Sequence, residues 1–151
     1  MGRARAEIDV PVQISVAEAL WYDTSRWAAF VDGFKAVAKL EGDWPDAGAR
    51  LIWDSGPAGR GRVVERVTTY IVRSGQTVDV EDERITGTQT VTFTPRPEGC
   101  VMALELRYKL KTGGPLAPVL DAFFVRRQLT AALERTLGRF RREVRVEGEV
   151  F

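Results

Sequence analysis

The stretch PLAPVLDAFFVRRQLTAALERTLGRFRREVR, Pro115 to Arg145, decides how this chain reads. Large apolar residues recur there at helical spacing: Leu116, Leu120, Phe123, Leu129, Leu133, Leu137, Phe140 and Val144. One uninterrupted helix puts them on a single face. A helix of roughly 28 residues is ~42 Å long, whereas a domain of this size has a radius of gyration of ~15 Å. The helix must therefore cross the whole molecule. Its apolar stripe has to be buried, and the strand-like segments before it are the available partner. A long helix laid across a curved sheet leaves a space between them, and function is expected there. Gly113-Gly114-Pro115 ends the preceding strand and places proline in the permitted first turn.

Working back from the helix, Val101 to Leu110 alternates strictly. Met102, Leu104, Leu106, Tyr108 and Leu110 share one face; Ala103, Glu105, Arg107 and Lys109 share the other. Thr88 to Thr94 sets threonines against Gln89, Val91 and Phe93. Earlier strands are expected over Thr77–Ile85, Arg62–Arg73, Arg50–Asp54 and Lys35–Glu41. Between them lie the turn signals Pro95–Gly99, Ser74-Gly75, Ser55–Gly59 and Gly42–Gly48. Links this short forbid parallel crossovers, so the strands form an antiparallel meander. One-sided alternation gives one covered face and one wet face. Glu7–Val12 is a first strand, ending near Pro11. Ser15 and Glu18 form a Ser-x-x-Glu capping box for a short helix. Ser25 caps a second, which Gly33 ends. The fold class is α+β: about seven curved antiparallel strands around a long C-terminal helix, with two short helices after the first strand.

Composition narrows the function classes. The 151 residues, 44% apolar and 28% charged, suit one folded domain over residues 1–151. A net charge of +1 gives no global attraction to nucleic acid or anionic membrane. The chain has no histidine, hence neither the commonest metal ligand nor the commonest acid–base group near neutral pH. Its one cysteine, Cys100, cannot form an intramolecular disulfide, and after a Pro-Glu-Gly turn it reads as a small residue starting a strand. The N-terminus has basic residues but no apolar run behind them, so no signal peptide is expected. Ala6 stands where myristoylation needs Ser or Thr. No run of ~18 apolar residues occurs, so no membrane span is expected. The location expected is the cytoplasm.

Several stretches carry a resemblance. They are Val16-Ala-Glu-Ala-Leu-Trp with Arg26-Trp-Ala-Ala-Phe, the strand Gly61-Arg-Val-Val-Glu-Arg-Val, the pair Val91-Thr-Phe-Thr-Pro and Glu98-Gly-Cys, and Gly114-Pro-Leu. Over nearly its whole length the chain resembles the helix-grip fold of the START-related lipid-transfer (SRPBCC) superfamily, in particular its polyketide cyclase/dehydrase-like branch. The resemblance implies a hydrophobic cavity between sheet and C-terminal helix. It also implies lipids, polyketides, quinones or other apolar molecules as ligands; some members are enzymes and many are not.

Such a cavity needs mostly apolar walls with a few polar groups for orientation. Strand Val101–Leu110 offers Leu104, Leu106 and Tyr108. Strand Thr88–Thr94 offers Phe93 and Gln89, an amide that needs partners if buried; alternatively Gln89 sits near the strand end and reaches water. Asp82 and Arg84 share a face with Val78 and Val80, at the mouth or floor of the cavity. A bulge near Gly87 would instead turn both outward. Two faces of strand 62–73 stay open. One carries Val63, Glu65, Val67, Thr69 and Ile71; the other carries Val64, Arg66, Thr68, Tyr70 and Val72. If the second faces inward, Arg66 and Tyr70 become cavity groups; otherwise Glu65 does. Phe123 and Phe124 lie about 100° apart on the helix, so one faces the sheet and the other the cavity edge or a loop. Trp53 is the candidate rim aromatic, with Trp44 packed beneath it.

The expected function is binding or transport of a small hydrophobic ligand. The first alternative is a polyketide cyclase/aromatase-type enzyme, whose base would be Asp82 or Glu65 and whose acid would be Tyr70, Tyr108 or an arginine-polarised water. An interaction module without a ligand is the third class. No cofactor is expected, since Gly56-Pro-Ala-Gly-Arg-Gly lacks the lysine and following helix of a nucleotide loop. Arg135, Arg139, Arg141, Arg142 and Arg145 sit in the last turns of the helix, where cations are favoured. They do not argue for nucleic acid. The expected partner is a small hydrophobic molecule, with no nucleic acid and no integral membrane association; a homodimer is left open.

Overall fold

Seven strands pair in the order β1-β7-β6-β5-β4-β3-β2, every pairing antiparallel. They are β1 (Gly2–Val10), β2 (Phe34–Glu41), β3 (Arg50–Ser55), β4 (Arg62–Ile71), β5 (Gly75–Glu81), β6 (Ile85–Arg96) and β7 (Gly99–Leu110). Five short links make β2 to β7 the expected meander, and β1 closes it by pairing with β7. Helix α1 (Ile14–Tyr22) and a 3-10 helix (Thr24–Ala29) follow β1. At the C-terminal end a π-helical turn (Asp121–Val125) leads into α2 (Arg126–Val150). This computed structural model describes residues 2–57, 59–111, 119 and 121–150; for Ala122, Phe123 and residues 147–150 it describes the backbone alone. The helix start expected at Pro115, with Leu116, Leu120 and Gly113-Gly114, lies outside the described residues.

Several element boundaries differ from the sequence expectation, each for a local reason. β1 starts at Gly2 and stops at Val10, because all nine of its residues find partners on β7. Helix α1 begins after Gln13, with no side-chain cap. Glu18 is not part of a capping box: it is buried, and it accepts from the Arg73 backbone N–H at 2.9 Å and from the Arg73 guanidinium. Asp23, not Ser25, caps the 3-10 helix, its Oδ1 accepting from the Ser25 N–H at 3.1 Å. β5 ends at Glu81 rather than at Ile85. Asp82 there turns the chain, accepting on Oδ1 from the N–H groups of Arg84 and Ile85, and Ile85 already belongs to β6.

The covered sheet face and the helix share one core. On β7, Cys100, Met102, Leu104, Leu106 and Tyr108 are buried at period two, as the alternation requires. Ala103 is covered too, although the alternation puts it on the wet face: Glu7 and Thr92 stand beside its small side chain on the two neighbouring strands. The first inward residues of β1, Gly2, Ala4 and Ala6, are small, whereas Ile8 and Val10 fill the core further along. A β-carbon at Gly2 would meet the Tyr108 ring at 2.3 Å, so the strand beneath the helix leaves room for what packs there. On α2, Leu133, Leu137, Phe140 and Val144 are buried. Phe140 closes edge-on against Phe30 at 5.1 Å and Trp21 at 5.5 Å between ring centroids. Among the described residues no helix is long and apolar enough to cross a membrane.

Candidate functional site

The two halves of α2 meet the sheet differently. Its C-terminal half is seated on Trp21 and Phe30 through Phe140. Its N-terminal half carries Ala131 and Ala132 beside Leu129 and Leu133, and under them a cavity of about 510 Å³ remains open. That volume lies in the range of small-molecule sites. The apolar wall comes from the sheet (Trp53, Val78, Ile85, Val91 and Leu104), from the two short helices (Trp21 and Trp27) and from the C-terminal helical segment (Val125, Leu129 and Leu133).

A compact polar group sits within this apolar wall. β4 turns Val63, Glu65 and Val67 inward, which selects the first of the two faces left open in sequence. Glu65 is enclosed and accepts from the Trp53 indole N–H at 2.6 Å. Burial pushes its carboxyl above the ordinary range, while the Trp53 bond and the Arg60 charge pull the other way. Asp82, also buried, accepts on Oδ2 from Arg60 Nε at 2.7 Å. Its Oδ1 accepts from two backbone N–H groups, so both oxygens of Asp82 are engaged. The Arg60 guanidinium lies 5.9 Å from the Trp53 ring centroid. Its Nη2 is buried and has no hydrogen-bond partner among the described residues. A donor, a carboxyl and an indole thus converge on one wall of the cavity, whose lining also includes Gln76, Gln89 and Thr136.

At the other end, Asp32 joins the loop after the 3-10 helix to α2. It accepts from Arg135 Nε and Nη2 and from Arg139 Nη1, each at 3.0 Å. The donated hydrogen bond from Arg135, with the Arg139 bond and the two charges helping against partial burial, holds its carboxyl below the ordinary range. The Asp32 N–H donates to Thr136 Oγ1 at 3.0 Å. Arg135 and Arg139 are thus engaged with the protein's own carboxylate.

Of the residues singled out in sequence, Trp53, Asp82, Arg84, Gln89 and Leu104 line the cavity. Trp53 is a buried wall residue rather than a rim aromatic; Trp44 packs beside Trp27 at 5.9 Å and bonds the Tyr22 carbonyl. The chain turns at Asp82 rather than bulging at Gly87, so Asp82 points in while Arg84 is exposed at the mouth, beside Gln128. Arg66 is exposed on the outer face, in register with Arg50 and Asp79. Tyr70 comes from that same open face yet turns inward, because a register shift between Val67 and Thr69 changes the parity of β4. It packs edge-on against Tyr22 at 5.4 Å, outside the cavity lining. Phe93 and Tyr108 are buried in the core, and Tyr108 donates to Asp121. Phe124 is exposed; the Phe123 side chain lies outside the described residues. Arg60, Gln76 and Asp32 line the cavity and were missed, since each stands in a turn or beside one where no periodicity points. A lone cation between Gly59 and Gly61 was the one available signal for Arg60.

Comparison with known proteins places this geometry. No curated protein matches the chain. Among solved structures, the TTHA0849 protein of Thermus thermophilus superposes with a TM-score of 0.76 at 20% identity, covering 97% of this chain and 99% of that one. The di-domain ARO/CYC StfQ from the steffimycin biosynthetic pathway gives 0.75 at 18% identity, over 97% of this chain and 51% of its own. A Thalictrum flavum norcoclaurine synthase point mutant, in complex with a transition-state analogue, gives 0.69 at 13% identity over 97% and 96%. These likenesses establish the helix-grip fold. The family described as polyketide cyclase/dehydrase and lipid transport matches residues 1–145, nearly the entire chain, and the protein belongs to it.

Proposed function

We propose that the protein binds a small hydrophobic molecule, a lipid, polyketide, quinone or similar, between the sheet and the N-terminal half of α2. The observation that supports this most is the cavity of about 510 Å³, walled by three indoles and by aliphatic groups from both layers. Removing an apolar surface from water into such a space is favourable by about 25 cal/mol per Å². The Arg60–Asp82–Glu65 group supplies the few polar atoms that orient a ligand. A neutral apolar dye, N-phenyl-1-naphthylamine, is expected to bind saturably at one per chain and to be displaced by quinones or fatty-chain molecules. Fluorescence titration without saturation would overturn the proposal.

A second reading, a cyclase/aromatase-type enzyme, is favoured by Glu65. A carboxyl whose hold on its proton is strengthened by burial, beside a cation in a ligand-sized space, suits proton transfer to or from a carbonyl compound.

A further inference from the structure

The cavity's cation is compensated before any ligand arrives. Arg60 gives Nε to Asp82 Oδ2 at 2.7 Å, and the carboxylate it meets is buried and holds two backbone N–H groups on Oδ1. What Arg60 still offers is the outer end of its guanidinium, whose Nη2 is buried without a partner among the described residues, and whose charge Asp82 already answers. Glu65, close enough to feel the Arg60 charge, adds nothing to the balance when protonated and a further negative charge when not. An anionic group entering here would lose its hydration, face Asp82 and find no net positive charge in return. A neutral oxygen acceptor such as a ketone, ester or quinone carbonyl would accept from the guanidinium at little electrostatic cost. Arg84 and Arg127 also line the cavity, but both are exposed, and water screens their charge. Arg135 is engaged by Asp32.

We propose that Asp82 determines ligand charge: by neutralising Arg60 it makes the cavity select neutral, carbonyl-bearing apolar molecules over their carboxylate counterparts. This rests on the binding reading above and adds to it a ligand class and a residue that sets it. Asp82→Asn keeps an oxygen for the Arg84 and Ile85 N–H groups while removing the charge that answers Arg60.

Decan-2-one and decanoate, matched in chain length, are titrated against the dye-loaded protein at about pH 8. The wild type is expected to bind decan-2-one about tenfold or more tightly than decanoate. In Asp82→Asn, decanoate is expected to tighten by about tenfold while decan-2-one changes little. Equal wild-type affinities, or a ratio unmoved in the variant, would overturn the proposal and leave the cavity reading standing. Failure of both molecules and of the dye to bind would overturn both. Should Asp82→Asn not fold by circular dichroism, Arg60→Gln decides. It removes the unpaired donor, so decan-2-one should weaken about tenfold with no gain for decanoate; an unchanged decan-2-one affinity would overturn the proposal.

Discussion

Glu65 is a carboxyl group closed inside the sheet–helix interface, with the Trp53 indole as its donor at 2.6 Å. Burial raises its pKa, so the folded chain holds this proton more tightly than the unfolded chain. The associated stability is whole below the unfolded value of ~4.3 and is lost as pH rises through the higher folded value. Glu65→Gln keeps an acceptor for Trp53 and removes the ionisation. Its melting temperature relative to wild type should therefore climb as pH rises above about 4, by roughly 2–4 °C for each kcal/mol. A constant difference across that range would contradict the assignment. Tyr108 behaves as a structural counterpart: burial, aided by its bond to Asp121, pushes its phenol up to about 12, so it stays neutral. The same residues show where reading one sequence stops. Alternation lists Glu65 among inward groups on one of two faces, and only the strand partners choose the face. Arg60 carries no periodicity, being held by Asp82 from across a turn.

Elements were more legible than residues, because period and breaker signals act locally. The alternation of β6 and β7 and the apolar stripe of α2 needed no tertiary information. Three features did. The register shift in β4 is invisible in a run of valines and threonines, yet it brings Tyr70 inward. The capping box at Ser15 failed because Glu18 is claimed by Arg73 on the β4–β5 hairpin, 55 residues away. Asp82 ends β5 early by bonding its own turn. Helix α2, about 37 Å long at 25 residues, divides into a packed half and a roofing half. Phe140 belongs to the packed half, seated against Phe30 and Trp21. Phe140→Ala should cost ~3–5 kcal/mol, read as a lower denaturation midpoint in urea. A loss below about 1 kcal/mol would show that this half is not the anchor of the helix.

At the scale of the whole molecule, a β-carbon-sized choice decides whether the clasp is solid or hollow. Where Leu137, Phe140 and Val144 face the sheet, the layers close; where Ala131 and Ala132 stand, they do not, and the cavity of about 510 Å³ remains. The architecture was readable from element order and the stripe on residues 129–144. The hollow was readable only as a consequence of curvature, and its polar wall comes from a loop residue, a strand end and a strand interior that no linear pattern connects. Filling the space from above separates a binding cavity from a packing imperfection. The most direct test is a fluorescence titration of N-phenyl-1-naphthylamine into wild type and Ala132→Trp, with folding checked by circular dichroism. Saturable one-to-one binding in the wild type, weakened at least about tenfold in the folded variant, is the result expected for a ligand of this size. Equal binding in both would place the dye elsewhere and contradict the account.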